Sequence, residues 1–428
     1  MMPTLRTFRP ALALLVLILP AAAQKPTQAE LIQMAKSKPL APEFRDAVRA
    51  SYRPENLAKF GGVTGLGPDF LFVMETESQP TLTIDGKALP LMLRLPGTNL
   101  WMAVTVLKTG EAHEFHYMTG AKVLTLPGDI PAYGPDSYPK DGVPEGKVSE
   151  KMIHTSKIYP GMTSEYWVYQ PPNYDPRVPL PVMVWQDGYV FATRLGVTRL
   201  GVVTENLIQQ KKLPPMIHVA ISPGTVGEKK LRSIEYDTMD GTYARFLREE
   251  ILPEVEKQWP LRKDAYSRAI AGMSSGAVCA FNVAWREGEQ FSRVGSFIGS
   301  YTGIGWRYGQ PDPKDNIDGG NVFPIRVRKE PRRNIRVWLD DGAEDMEVRD
   351  GSWPLMNIQM ANGLKMAGYD FRFNFGPGVH SLSSLASVMP EMLAWLWRDY
   401  DMAKTSQTYV QDPAEKDKPY FRVKIANR

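Results

Sequence analysis

One short segment, residues 269–277, constrains the fold of this chain more than any other. Its letters are AIAGMSSGA, which predict an apolar strand that turns abruptly into a helix. Gly272 and Gly276 leave the room that such a turn needs, because the strand and the helix approach each other closely there. The turn would lift the hydroxyl of Ser274 above the edge of a sheet. The segment therefore predicts an α/β fold that presents a reactive serine.

Two other regions of the chain differ in their pattern of apolar residues and turn formers. Beyond residue 151, apolar strands alternate with helices of about 10–15 residues, which indicates a largely parallel sheet covered by helices on both faces. Residues 61–126 instead contain short apolar runs separated by turn signals, which is typical of a small antiparallel β-sandwich. Residues 300–333 are irregular and turn-rich, so we interpret them as a binding loop or a lid.

The amino terminus has the pattern of a secretory signal. Arg6 and Arg9 precede an apolar run over 11–19 and three alanines at 21–23. The run is shorter than the ~20 residues that a membrane span needs, so we expect cleavage and a periplasmic or secreted protein. The predicted organisation is a signal peptide (1–23), a helical segment (24–60), the β-sandwich (61–126), a linker (127–150), an α/β catalytic domain (151–405) and a tail (406–428).

Composition excludes several kinds of partner and cofactor. The chain has 51 basic and 47 acidic side chains and a net charge of +4. So small a charge does not favour binding to nucleic acid or to an anionic membrane. A single cysteine, Cys279, excludes an internal disulfide and any multi-cysteine metal cluster, and we expect it to be a buried, inert thiol. We expect neither a metal nor an organic cofactor.

A serine hydroxyl needs a base, and the base needs an orienting acid. Hydrolases with this turn carry them in the chain order serine, acid, histidine. Only His380 follows Ser274, and it lies in a loop directly after a predicted strand. An acidic cluster at 340–345 follows another predicted strand, and we choose Asp345 from it as the acid, with Glu344 in reserve. The other four histidines are not expected to be catalytic: His113, His116, His154 and His218.

An oxyanion formed at Ser274 would need backbone N–H donors. The N–H of Ser275 follows the turn directly and is the first candidate. The second should come from the loop after the strand over 182–185, where an Asp-Gly pair turns the backbone. We choose the N–H of Tyr189, with Gly188 as the alternative.

Several motifs together resemble one family. They are WQDG at 185–188, RSIEY at 232–236, the turn at 272–276, DGAED at 341–345 and the loop around His380. In this order they resemble the esterase-D/enterochelin-esterase-like group of α/β-hydrolases, which is similar to the feruloyl and acetylxylan esterases of carbohydrate esterase family one. The resemblance covers about residues 151–400. Val379 departs from it, because the family often has two glycines before the histidine.

The resemblance implies an α/β-hydrolase fold preceded by an immunoglobulin-like β-sandwich, and it assigns the acid to Asp345. Arg232 and Glu235 match a charged motif near the family's active-site rim, either as substrate contacts or as an ion pair that braces the loop. Aromatic side chains close to the catalytic edge, Trp306 and Trp353, could stack on a sugar or an aryl acyl group, or could plug the loops in place.

The expected function is that of a secreted serine carboxylesterase. Its expected substrates are small-molecule or oligosaccharide esters, namely feruloyl or acetyl esters of plant cell-wall carbohydrate. Three alternatives remain open: a siderophore trilactone esterase, an acyltransferase that uses the same acyl-enzyme, and an inactive carbohydrate-binding protein.

Overall fold

The computed structural model describes residues 25–126, 128–309 and 317–423. The predicted signal peptide lies outside these ranges. Within them, no helix combines the length and the apolar character that crossing a bilayer would require.

Three short helices open the described chain: α1 (Gln28–Ser37), α2 (Pro42–Ser51) and α3 (Pro54–Lys59). Thr27 caps α1, because its hydroxyl accepts from the N–H of Glu30 at 3.2 Å while the Glu30 carboxylate accepts from the N–H of Thr27 at 2.8 Å. Proline stands in the first turn of α2 and of α3, where its missing N–H leaves no helical hydrogen bond unmade.

Nine strands follow in two antiparallel sheets. The first sheet has the order β1-β2-β6-β5, and the second has the order β4-β3-β7-β8, with β9 also paired to β7. The strands are β1 (Gly62–Leu66), β2 (Asp69–Glu75), β3 (Thr81–Ile84), β4 (Lys87–Ala88), β5 (Leu93–Arg94), β6 (Leu100–Val106), β7 (Glu111–Thr119), β8 (Lys122–Val123) and β9 (Gly128–Ala132).

Strand β2 packs against both the second sheet and the amino-terminal helices. It is apolar on both faces, and successive side chains of a strand point to opposite sides. Phe72 packs with Tyr117 of the second sheet, whereas Leu71 packs with Phe44 of α2. The first sheet is therefore covered by the second sheet on one face and by the helices on the other.

The predicted linker differs from the structure at its start. The residues of β9, Gly128–Ala132, pair with β7 instead of connecting two domains as loop. Pro131 is tolerated there because proline fits an edge strand, whose outer N–H groups are unpaired. The turn formers around β9 hid this strand in the sequence.

The remaining strands build the sheet of the α/β region, which has the order β16-β15-β12-β14-β13-β17-β18-β19-β22, with β10 and β11 also paired to β12. They are β10 (Lys147–Val148), β11 (Met152–Thr155), β12 (Thr163–Gln170), β13 (Val182–Gln186), β14 (Ile217–Ile221), β15 (Thr225–Val226), β16 (Lys229–Lys230), β17 (Arg268–Met273), β18 (Arg293–Phe297), β19 (Arg336–Gly342) and β22 (Asp370–Gly376). A separate hairpin is formed by β20 (Glu347–Val348) and β21 (Gly351–Ser352).

The six strands from β14 to β22 in this order are parallel, whereas every pairing that involves β12 or β16 is antiparallel. The antiparallel flank departs from the predicted mostly parallel sheet. The direction of these strands depends on connections that periodicity does not reveal.

Helices cover both faces of this sheet, as the strand–helix alternation predicts. They are α4 (Leu200–Gln209), α5 (Arg232–Tyr236), α6 (Thr242–Phe246), α7 (Leu252–Glu256), α8 (Ser275–Arg286), α9 (Phe323–Lys329), α10 (Trp353–Met366), α11 (Ser383–Leu396) and, in the tail, α12 (Pro413–Lys416). A π-helical turn over Leu247–Ile251 joins α6 to α7. The central strands are buried on both faces, so Val184 belongs to one core and Trp185 to the other.

Helix α9 lies inside the segment that we predicted to be irregular. Pro324 occupies the first turn of this helix, where proline is favoured. The loops that follow β13, β17, β18, β19 and β22 all leave from the carboxyl edge of the parallel strands. Ligands in open α/β sheets bind at that edge.

Candidate active site

Ser274 stands at the sharp turn between β17 and α8. Its backbone angles are φ 56° and ψ −125°, a strained conformation for a residue with a side chain. Its N–H donates to the carbonyl of Phe297 at 2.9 Å, which ties the turn to the neighbouring strand. A Cβ on Gly272 would lie 2.4 Å from the backbone of Gly276, so only glycine allows this approach of strand and helix.

The structure brings Ser274, His380 and Asp345 together. Nε2 of His380 lies 2.9 Å from Oγ of Ser274, and Nδ1 of the same ring lies 2.6 Å from Oδ1 of Asp345. These three residues come from the loops after β17, β22 and β19. A proton on Nδ1 would be held by the carboxylate, which leaves Nε2 free to accept the proton of the serine hydroxyl.

The loops that carry the histidine and the acid are joined by backbone contacts. The N–H of Glu344 donates to the carbonyl of Gly378 at 3.2 Å. A Cβ on Gly342 would lie 1.9 Å from that same carbonyl oxygen, so glycine is required at this crossing. Glu344 itself is exposed, whereas Asp345 is buried against the imidazole. Val379, the departure from the family pattern, leaves this arrangement intact.

Two further carboxyl groups, those of Asp340 and Asp341, lie next to Asp345. Burial, together with the adjoining Asp345 carboxyl, raises the pKa of Asp341 well above its usual range. This shift disfavours a second negative charge beside Asp345. Burial also raises the pKa of Asp340 to about 6, although the Ser384 hydroxyl and the Asn374 amide offset part of that effect.

The second antiparallel sheet also contributes to the site, through Asp129 of β9. The hydroxyl of Ser381, the residue after His380, donates to Oδ1 of Asp129. The hydroxyl of Ser383 donates to the backbone carbonyl of Asp129 at 3.2 Å. This contact could not be predicted from the sequence, because nothing in the local pattern links two residues 252 positions apart.

We expect Asp129→Ala to lower kcat by about tenfold, because the loop that carries His380 loses an anchor and small misplacements of a catalytic group are costly. Ester hydrolysis and the thermal midpoint would be measured together. Asp141→Ala, which alters an exposed carboxylate between β9 and β10, is the matched control and should leave both unchanged. An Asp129→Ala protein that folds and turns over at the wild-type rate would contradict this role.

The two predicted oxyanion donors differ in their surroundings. Ser275 begins α8, and the first N–H groups of a helix have no carbonyl partner within the helix. The N–H of Tyr189, in contrast, donates to Oγ of Ser222 at 3.0 Å. An oxyanion would have to compete with Ser222 for that amide, which favours the alternative, Gly188. Gly188 packs so closely on β14 that a Cβ there would lie 2.4 Å from the backbone of Ala220.

Arg232 and Glu235 do not form the ion pair that we considered. Arg232 instead makes two hydrogen bonds to Asp187, at 2.7 and 2.8 Å, and so braces the loop after β13. Glu235 is 1% exposed, and its carboxylate accepts from the N–H of Gly224 at 2.7 Å. Substrate therefore cannot reach Glu235, and the prediction that it contacts substrate is wrong. The alternating exposure of so short a helix cannot be inferred from its letters.

Glu235 should make the stability of the protein depend on pH. Burial raises the pKa of its carboxyl to about 7, whereas the unfolded chain releases this proton near 4.5. The free energy of unfolding should therefore fall by up to about 3 kcal/mol as pH rises through this window. We expect Glu235→Gln to remove that fall in denaturant unfolding at pH 5 and pH 8. Glu344→Gln, at an exposed carboxylate, is the control; an unchanged pH dependence in Glu235→Gln would contradict the assignment.

The two tryptophans that we predicted to contact substrate differ in their exposure to solvent. Trp353 is fully buried, so the prediction that it stacks on substrate is wrong. Its ring packs edge-on against the His380 imidazole, with centroids 5.7 Å apart. Trp306 is 52% exposed and lies parallel to the exposed ring of Tyr308, with centroids 5.9 Å apart. These two rings remain available to a ligand.

Ser300, which follows β18, was not among the residues predicted for the site. Its hydroxyl lies 3.3 Å from Oγ of Ser274, and Nε1 of Trp353 donates to it at 3.2 Å. Its place beyond the end of a parallel strand was the one available signal. Serine is too common in such loops for that signal to be specific.

Comparison with known proteins agrees with the fold. The family model "Esterase: Putative esterase" matches residues 160–396, more than half of the chain. The enterobactin esterase FES from Shigella flexneri, solved in the presence of enterobactin, superposes with a TM-score of 0.54 at 15% identity, covering 84% of this chain and 99% of that chain. This likeness shows a shared α/β-hydrolase-like fold.

Two curated proteins are similar in sequence. The endo-1,4-beta-xylanase/feruloyl esterase of Xylanibacter ruminicola is 29% identical over 170 residues, 40% of this chain and 20% of that protein. The uncharacterized protein YjcH of Bacillus subtilis is 27% identical over 149 residues, 35% of this chain and 60% of that protein. The matches thus span less than two thirds of either relative. With the family model covering the region that holds the serine, the acid and the histidine, the chain belongs to the Esterase family.

Proposed function

We propose that this protein is a serine carboxylesterase. The observation that carries the proposal is the pair of hydrogen bonds made by His380, to Ser274 Oγ at 2.9 Å and to Asp345 Oδ1 at 2.6 Å. This is the geometry that nucleophile activation requires, with a base in contact with the hydroxyl and an acid that orients the base.

In the proposed mechanism, Ser274 Oγ attacks the ester carbonyl while His380 Nε2 takes its proton. The imidazolium that forms is stabilised by Asp345 and returns the proton to the departing alcohol. The negative charge on the carbonyl oxygen is stabilised by the N–H of Ser275 and by an amide of the loop after β13, Gly188 or Tyr189. Water then hydrolyses the acyl-enzyme by the same proton transfers.

The proposed substrate is a feruloyl or acetyl ester of plant cell-wall carbohydrate. The feruloyl esterase named in the Xylanibacter relative supports this class. The exposed parallel rings of Trp306 and Tyr308 offer a flat surface of the kind on which an aryl acyl group or a sugar ring stacks. Both residues belong to the segment that begins directly after Ser300, whose hydroxyl lies 3.3 Å from Ser274 Oγ.

A second candidate is a siderophore trilactone esterase. The superposition with the enterobactin esterase covers 84% of this chain, more than the α/β region alone accounts for, and so includes part of the β-rich domain.

We propose that this domain is immunoglobulin-like and that the segment boundaries predicted above hold apart from β9. We also propose that the chain is exported after removal of residues 1–23.

Purified protein assayed with methyl ferulate, acetylated xylan and a catecholate trilactone would test these proposals. We expect ferulate or acetate release to exceed lactone opening in kcat/KM. The reverse order would favour the siderophore candidate. Transfer of the acyl group to added sugar would indicate an acyltransferase. Absence of reaction with every ester would favour the inactive carbohydrate-binding protein.

A further inference from the structure

Ser300 is held beside the nucleophile by a strained backbone. Its N–H donates to the carbonyl of Ser274 at 3.2 Å, and its side chain is buried. Two residues earlier, Ile298 has φ 43°, a conformation that is costly for a β-branched residue and persists only where the surrounding structure enforces it. Asn357 of α10 supplies part of that enforcement, because its side-chain amide donates to the carbonyl of Gly299 at 2.9 Å.

Trp353 contacts the catalytic residues from two sides. Its Nε1 donates to Oγ of Ser300, and the edge-on packing of its ring restricts the imidazole of His380. An indole N–H is a donor only, so the direction of this hydrogen bond cannot reverse.

The groups at the two ends therefore favour one direction for the hydrogen bonds around Ser274. At one end, Trp353 can only donate, which leaves the proton of the Ser300 hydroxyl free to point at Ser274 Oγ. At the other end, His380 donates from Nδ1 to Asp345 and accepts at Nε2, which draws the proton of Ser274 toward the imidazole. Each hydroxyl thus accepts one hydrogen bond and donates one.

We propose that Ser300 is a further catalytic residue whose hydroxyl donates a hydrogen bond to Ser274 Oγ, and that Trp353 is the positioning residue that orients it. This inference rests on the proposed esterase function. The O···O distance of 3.3 Å is long for two hydroxyl groups, as catalytic hydrogen bonds often are without substrate.

The effect of this hydrogen bond is largest in deacylation. Water bonds to the acyl carbon and gives a proton to His380 Nε2; the bond from that carbon to Ser274 Oγ then breaks, and Oγ takes the proton back. Negative charge grows on Oγ as it leaves, so the bond from Ser300 strengthens from a weak contact with an ester oxygen. In acylation the free hydroxyl already accepts the bond before reaction, so the gain there is smaller.

Pre-steady-state hydrolysis of p-nitrophenyl acetate separates the two steps. For Ser300→Ala we expect the deacylation rate constant to fall about tenfold, the acylation rate constant to fall less than threefold, and the burst of nitrophenol to approach one per site. Deacylation within twofold of wild type, or an equal fall in both steps, would overturn the inference. A wild-type protein that releases nitrophenol no faster than the uncatalysed reaction would instead contradict the esterase function itself.

Trp353→Phe provides a second test that does not depend on the folding of Ser300→Ala. It keeps an aromatic ring against His380 but removes the N–H, so acyl-enzyme should again accumulate, with deacylation slowed about threefold. Trp338→Phe is the matched control, because the Trp338 indole is equally buried and its N–H has no hydrogen-bond partner within the described residues. Equal kinetics in the two Trp→Phe variants would overturn the role of Trp353.

Discussion

Ser274→Ala should lower ester hydrolysis by at least about 10⁴-fold and abolish labelling by a fluorophosphonate probe. The substitution removes the one hydroxyl that contacts His380 Nε2, so neither the acyl-enzyme nor the phosphonylated adduct can form. The activity that survives would come from water attacking substrate held by the oxyanion donors. Initial rates with p-nitrophenyl acetate and fluorescence of the labelled band are the two measurements.

Ser275→Ala is the matched control for that experiment. It removes the adjacent hydroxyl but keeps the backbone N–H that we assign to the oxyanion site, and the Ser275 side chain is buried. Labelling should therefore persist with a modest loss of rate. If Ser275→Ala abolished labelling and Ser274→Ala did not, the nucleophile would be misassigned.

Asp345→Asn should lower kcat by about 10⁴-fold while leaving the fold intact. The carboxylate accepts the Nδ1 proton of His380 at 2.6 Å, whereas an amide can turn its NH₂ group toward Nδ1. The imidazole would then carry its proton on Nε2, where it cannot accept the proton of Ser274. Turnover and the near-ultraviolet circular dichroism spectrum, compared with wild type, check both halves of this expectation.

Glu344→Gln tests the reserve choice of acid. Its side chain is exposed, so turnover should stay within about twofold of wild type. A large loss in Glu344→Gln, with little effect of Asp345→Asn, would show that the acid loop rearranges when substrate binds and that the resting geometry misidentifies the acid.

The chemistry of the strand ends could be predicted because it depends on short-range constraints. A strand that must become a helix within one residue needs glycine on both sides of Ser274, and this requirement appears directly in the letters at 272–276. His380 followed by elimination, since no other histidine comes after Ser274. Asp345 could be chosen because strand ends in a parallel sheet converge on one edge.

The burial of a side chain and the contacts between distant residues could not be predicted from the sequence in the same way. Trp353 and Glu235 lie in segments whose letters fit an exposed rim or a buried face equally well, and the packing of α10 and α5 decided for burial. The sequence suggested a free N–H at Tyr189, whereas in the structure this N–H donates to Ser222, which follows β14. Each of these depends on which element lies opposite, which no local periodicity encodes.

The sequence by itself determined the α/β class, the reactive turn and the residue types available to it, because strand and helix periods and glycine sterics act within a few residues. Only the tertiary structure decided which side chains support that turn. Asp129 reaches the histidine loop from β9 of the second antiparallel sheet, and Ser300 and Trp353 complete the hydrogen bonds around Ser274. Their contacts form only after distant elements have packed, because a hydrogen bond between side chains is set by their position in space and leaves no pattern along the chain.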